Sequence, residues 1–189
     1  DFCYRDAAYE SVALDLSGMH DLARLQLNAY LAPRSKMPKS RWTMGQWDDA
    51  ENDGLWMTRD GQLDGQGQTL WALFEHARLT GDRKWLSANY DSLRRGAEWI
   101  IRAIEKEKKR LGDANHVAYG LLPEGLMEGT PWHHALYFDA WAVLGLDHVS
   151  ELAAAIGRTD DAERYSDAAT ALRQALRRTV QMSFRRKNL

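Results

Sequence analysis

Residues 64–81, DGQGQTLWALFEHARLTG, decide how this chain is read. Asp64-Gly65-Gln66-Gly67 reads as a glycine-punctuated turn, and Gln68 or Thr69 opens a helix. Leu70, Leu73, Phe74 and Ala77 then recur at helical spacing, with Trp71 beside them. Gly81 supplies the left-handed residue that commonly ends a helix. The unit is a polar loop, an apolar helix, a short glycine stop and a more charged helix.

Outward from it, the same unit occurs on either side. Helices are expected over residues 6–17 and 20–32 around Gly18, over 68–80 and 82–109 around Gly81, and over 133–156 and 160–181 around Gly157. The first member of each pair is the more apolar; the second carries its apolar residues on one stripe, such as Leu86, Tyr90, Leu93, Ala97, Ile100 and Ile104. A helix apolar around its circumference is buried, and an amphipathic one lies outside. The expected fold is therefore all-α: three antiparallel helical hairpins, odd helices inner and even helices outer, in one domain over residues 1–189.

Long polar stretches, residues 33–66 and 110–132, lead into the inner helices, so those helices begin at one common end. Loops of this length are uncommon in a compact domain unless they serve binding or are mobile. Helix N-termini carry the positive end of the dipole and attract carboxylates and polar ligands. Arg5 and Asp6, then Asp64, then the stretch holding Glu124, Glu128 and Trp132 fall at these starts, with Trp56 in the preceding loop and Asp139 just inside the fifth helix. Carboxylates, a guanidinium and indoles at one rim suit a polyhydroxylated ligand. Asp139 is either a hydrogen-bonded core carboxylate or a ligand contact.

Composition narrows the alternatives. A net charge of −2 gives no nucleic-acid footprint, and no stretch has the apolar length of a membrane span or the pattern of a signal peptide. Cys3 is the sole cysteine, which excludes an intrachain disulfide and a thiolate zinc site. His133 and His134 are adjacent, so on a helix they diverge by about 100° and make poor joint ligands. Asp48, Asp49 and Asp53 match no EF-hand loop. No metal or cofactor is expected.

Tyr4-Arg5-Asp6-Ala7-Ala8-Tyr9 with Ala13-Leu14-Asp15, then Asp64-Gly65-Gln66-Gly67-Gln68 with Leu70-Trp71-Ala72-Leu73, then Tyr119-Gly120-Leu121-Leu122-Pro123-Glu124-Gly125 with Tyr137-Phe138-Asp139-Ala140-Trp141, resemble in order the first three hairpins of six-hairpin, (α/α)6-barrel glycoside hydrolases of the glucoamylase-like kind. The resemblance covers nearly the whole chain but about half of such a ring. It implies a partial toroid, an oligo- or polysaccharide substrate, and glycosidic hydrolysis by carboxylate acid–base catalysis with inversion. By position, Arg5 and Asp6 would bind sugar hydroxyls, Asp64 would contribute nearby, and the loop with Glu124 and Glu128 would supply the general acid. Pro123 stands where the glucoamylase pattern has one of two adjacent acids, so either glutamate remains a candidate. The catalytic base belongs to a later hairpin, so self-association or the missing half of the ring is expected to complete it. Lyases and epimerases share such toroids, and a non-catalytic repeat scaffold shares the helices; the unequal spacing of the glycine stops favours a site over an array.

Overall fold

The computed structural model describes residues 3–36, 45–57, 61–127 and 129–186. Six α-helices follow in order: α1 Tyr4–Leu16, α2 His20–Leu31, α3 Asp64–Thr80, α4 Arg83–Leu111, α5 Leu136–Ala155 and α6 Thr159–Arg186, with a short 3-10 turn at Arg34–Lys36. No strand occurs among the described residues. They pair as three hairpins, α1–α2, α3–α4 and α5–α6. The turns are closed by Gly18, Gly81 and Gly157, all at positive φ (76°, 63° and 78°). The inner helices lie in the order α1, α3, α5, with α3 touching both others. This is an arc of an all-α hairpin toroid, as expected.

The start of α3 departs from the expectation. Asp64–Gly67 is not a turn but the first turn of the helix itself. Its glycines serve packing. A Cβ on Gly67 would lie 2.2 Å from the Trp141 carbonyl oxygen, and one on Gly65 would lie 3.0 Å from Tyr4 Cβ. On α5, a Cβ on Gly145 would lie 3.2 Å from the Gly67 Cα. The missing side chains let α3 run against both neighbours, and every residue from Asp64 to Leu70 is buried as a result. The α4 and α6 stripes fall inward as read, with Leu93, Ile100, Tyr165 and Leu172 almost wholly enclosed.

The loop before α3 is largely structural. Trp56 is 0% exposed, and its Nε1 donates to the Tyr30 carbonyl at 2.9 Å. A Cβ on Gly96 would meet the Trp56 ring at 2.3 Å, so the indole lies on the bare backbone of α4. Gln66 locks this arrangement: its Oε1 accepts from the Trp56 N–H at 2.7 Å, and its Nε2 donates to the carbonyls of Gly54 and Gly96 at 3.1 and 2.8 Å. Trp56 is thus a core plug, which corrects its reading as a sugar-facing ring. Asp48, Asp49 and Asp53 fasten the same loop by accepting from Ser35, Asn52 and Arg95. Trp42 and Asp60 lie outside the described residues.

Opposite the long loops, a polar chain centred on the buried Asp15 and His76 ties the first two hairpins together. Both oxygens of Asp15 sit within 3.0 Å of His76 Nδ1, and Oδ1 also meets His20 Nδ1 at 2.8 Å. Arg24 Nε donates to His76 Nε2 at 3.3 Å, which leaves Nδ1 as the nitrogen that donates to Asp15. The same guanidinium reaches Asp82, whose Oδ1 caps α4 at Trp85 N–H. Residues from α1, α2, α3 and the α4 cap are joined through one imidazole.

Asp139 is 1% exposed, and its Oδ1 accepts from the Leu122 N–H at 2.7 Å. Of its two readings, the hydrogen-bonded core carboxylate is the one built here: it pins the loop before α5 to that helix. Burial raises its pKa to about 7, against the smaller lowering by the Leu122 and Asp139 N–H groups.

Three outcomes follow from this packing. Asp15→Ala strands His76 in the core and lowers unfolding free energy by about 3 kcal/mol in urea titrations. Gly67→Ala forces α3 off α5, with a loss of roughly 1–3 kcal/mol by the same measurement. Because Asp139 holds its proton more tightly folded than unfolded, its contribution is full below about pH 4. That contribution is lost as pH rises to about 7. Asp139→Asn removes that decline, on the order of a few kcal/mol, in unfolding curves compared at acidic and neutral pH.

Candidate active site

The N-termini of α1, α3 and α5 converge, and their side chains form two layers on one face. At the mouth, Arg5 Nε lies 3.3 Å from Asp64 Oδ2. Arg5 is about one-third exposed, whereas Asp64 is 3% exposed at the head of α3. Burial raises the Asp64 pKa, and Arg5 together with the N–H groups of Asp64 and Gly65 opposes the rise. Asp6 is exposed next to this pair, and its charge is felt by both Arg5 and Asp64. One turn into α3, Gln68 Nε2 donates to the Tyr137 hydroxyl of α5 at 2.9 Å. The structure therefore brings Arg5, Asp6 and Asp64 together as the sequence implied, and adds Gln68 and Tyr137.

Below the mouth lies an aromatic belt contributed by all three inner helices. Tyr9 and Trp71 meet edge-on at 5.5 Å between ring centroids, Trp71 and Trp141 at 5.6 Å, Tyr9 and Trp141 at 6.1 Å, and Tyr137 and Trp141 at 6.4 Å. These rings remain partly open: Tyr9 is 45% exposed. On α3 the only residues between Asp64 and Ala77 that are not buried are Trp71 and Glu75, so the open stripe is narrow. Glu75, Arg78, His148 and Glu151 interact electrostatically farther along the same helices. Sequence reasoning missed the belt because aromatics at helical spacing read as core. The available signal was the i, i+4 step from Arg5 to Tyr9 and from Tyr137 to Trp141, which stacks a ring one turn inside each polar mouth residue.

The loop before α5 divides its residues between two places. Trp132 is 54% exposed, and its ring rests over Gly61, where a Cβ would meet it at 2.6 Å. Leu126 N–H donates to the Gly61 carbonyl at 2.7 Å, and Gly125 and His133 pair antiparallel, so this part is anchored to the segment entering α3. Glu124 lines a different feature, a cleft of about 750 Å³ against the outer helix α4, together with Trp99, Arg102, Lys106, Glu107 and Arg110. His134 Nδ1 lies 3.0 Å from the Leu122 carbonyl, and its Nε2 stands 3.4 Å from Glu107 and 3.8 Å from Glu124. Glu107 is held below the usual carboxylate range, first by hydrogen bonding from Arg110. Glu128 lies outside the described residues.

The mouth therefore offers a buried carboxylate paired with a guanidinium, a fixed amide–phenol pair, and open aromatic faces. That set can accept and donate hydrogen bonds to several hydroxyls while contacting C–H surfaces. Among the described residues no cluster of three or more His, Cys, Asp or Glu is placed to hold a metal ion. No described helix is long and apolar enough to cross a membrane.

Comparison with known proteins agrees with this geometry. The family described as the bacterial alpha-L-rhamnosidase 6 hairpin glycosidase domain matches residues 43–183. No curated protein and no solved structure matches the chain. With three hairpins of a six-hairpin architecture, inner helices opening on one polar mouth, and a match over most of its length, this chain belongs to the bacterial α-L-rhamnosidase six-hairpin glycosidase family of glycoside hydrolases.

Proposed function

We propose that the mouth of α1, α3 and α5 is the sugar-binding part of a glycosidase that removes a rhamnosyl-type residue by hydrolysis with inversion. The observation that carries this reading is the Arg5–Asp64 pair at 3.3 Å, set beside Gln68 and Tyr137 where three inner helices begin. Arg5, Asp6 and Asp64 hold sugar hydroxyls through charge-assisted hydrogen bonds, and Trp132 covers the sugar from the loop before α5. The ion pair orders the guanidinium before the ligand arrives, which reduces the entropy lost on binding.

In the reaction, a protonated carboxyl gives its proton to the glycosidic oxygen as the C–O bond breaks. A second carboxylate takes a proton from the water that attacks the anomeric carbon from the opposite face. The two carboxyls stand roughly 6.5–9.5 Å apart to admit that water. The acid comes from the loop before α5, where Glu124 and Glu128 are the candidates. The position of Glu124 in the outer cleft, against α4, favours Glu128. The base comes from hairpins beyond these three or from an associating chain. Exposed Leu16, Met19, Leu22 and Leu25 along the α1–α2 edge give that addition an apolar surface to pack on.

The test is hydrolysis of p-nitrophenyl α-L-rhamnoside by the chain joined with the hairpins or partner copy that supply the base, with the first-formed sugar anomer followed by NMR. Glu128→Gln lowers kcat by roughly 10²–10⁴-fold, the usual worth of a general acid, while Glu124→Gln stays within a few-fold of the parent. Equal, small effects at both positions, or release of the retained anomer, would refute the mechanism.

A further inference from the structure

Resting on that reading of the mouth, we infer that Tyr9, Trp71, Tyr137 and Trp141 form the floor of the sugar subsite, with the Tyr137 hydroxyl reading one hydroxyl of the sugar and Gln68 positioning it. No residue of this set follows from the family resemblance as a ligand contact.

Three observations carry the inference. First, the four rings come from all three inner helices and meet in tilted or edge-on contacts between 5.5 and 6.4 Å, yet Tyr9 and Tyr137 remain exposed and the two indoles are only partly covered. A ring cluster that served only as core would be closed, as Trp56 is at 0%. Pyranose rings present a face of C–H groups to aromatic surfaces, and indoles suit both that face and a wet edge. Second, the floor lies directly beneath a polar rim: Tyr9 follows Arg5 by one turn of α1, and Trp141 follows Tyr137 by one turn of α5. A sugar resting on the rings therefore has its hydroxyl edge at the level of Arg5, Asp64 and Tyr137.

Third, Gln68 is completely buried, yet only half of its amide is used. Nε2 donates to Tyr137, whereas Oε1 accepts no hydrogen bond within the protein. A buried amide in this state is costly unless it has a task. By occupying a lone pair of the Tyr137 oxygen, it fixes the direction in which that phenol can donate. The Tyr9 hydroxyl couples to the same phenol, which with burial raises the Tyr9 pKa. Tyr137 is thus the specificity-determining contact and Gln68 a positioning residue that acts through it.

The experiment is a titration of intrinsic tryptophan fluorescence in the 189-residue chain with L-rhamnose, with glycerol as the control polyol. It is run beside the hydrolysis assay and thermal melts of each variant. The expected result is a saturable signal change in the parent that glycerol does not produce. Trp141→Phe, which keeps a ring, weakens binding about tenfold, and Tyr137→Phe does so by a similar factor with an unchanged melt. Gln68→Leu matches Tyr137→Phe, and the double variant is no worse than either, because both remove the same contact. Saturable binding with one affinity across all variants overturns the inference, as does additive loss in the double variant. Absence of saturable binding to the parent overturns it too; continued hydrolysis in that case leaves the catalytic reading standing, and loss of both removes the two together.

Discussion

Gly67 sets the backbone of α3 against the carbonyl of Trp141, and the position of α3 determines nearly everything else in this molecule. With any side chain there, α3 and α5 would stand apart, and the belt of rings that spans α1, α3 and α5 would open. Close approach also explains why so polar a segment as Asp64–Thr69 is buried. Its groups are satisfied, for the most part, by partners that only a tightly packed neighbour supplies: Arg5 for Asp64, the loop carbonyls for Gln66, and Tyr137 for Gln68.

The two ends of the bundle solve the same electrostatic problem differently. Asp64 and Asp15 are both carboxylates in the interior, near opposite ends of α1 and α3. Asp15 is 0% exposed at its side chain and is met by the equally buried His76 and by His20, with Arg24 behind the imidazole, so two imidazoles fill its oxygens. Asp64 has a single guanidinium that is itself one-third exposed. A carboxylate with its hydrogen-bonding capacity filled from within makes a rigid joint. One with capacity left over, at the dipole-positive end of a helix, is suited to an incoming polar molecule.

Much of the architecture was legible from residues alone, because it rests on local chemistry. Gly18, Gly81 and Gly157 sit where a left-handed residue is needed, and the stripe from Leu86 to Ile104 has one helical period. What failed was anything that depends on a partner distant in sequence. Asp64-Gly65 and Gln66-Gly67 look like a turn, since glycine next to Asp usually marks one; only the neighbouring helices reveal these glycines as contact points. Trp56 reads as a rim ring because loop aromatics often face ligand, and an early helical Asp such as Asp139 reads equally as ligand contact or core carboxylate. Their enclosure comes from Gly96, Tyr30 and Leu122, far along the chain. That Arg5 and Asp64 share one rim is legible from the common end at which the inner helices begin, but their ion pair is not, and Tyr9, Trp71 and Trp141 are hidden by looking like ordinary core.

The glycine turns carry a practical consequence. At Gly18, Gly81 and Gly157 an added Cβ would meet nothing within 4 Å, so each of these three positions points into open space. They lie at the end of the bundle remote from the Arg5–Asp64 mouth, a helix length away. Peptide tags or fluorophores grafted at these positions would hang from the underside of the arc, leaving the face with Arg5, Asp64 and the open rings unobstructed for immobilisation or imaging.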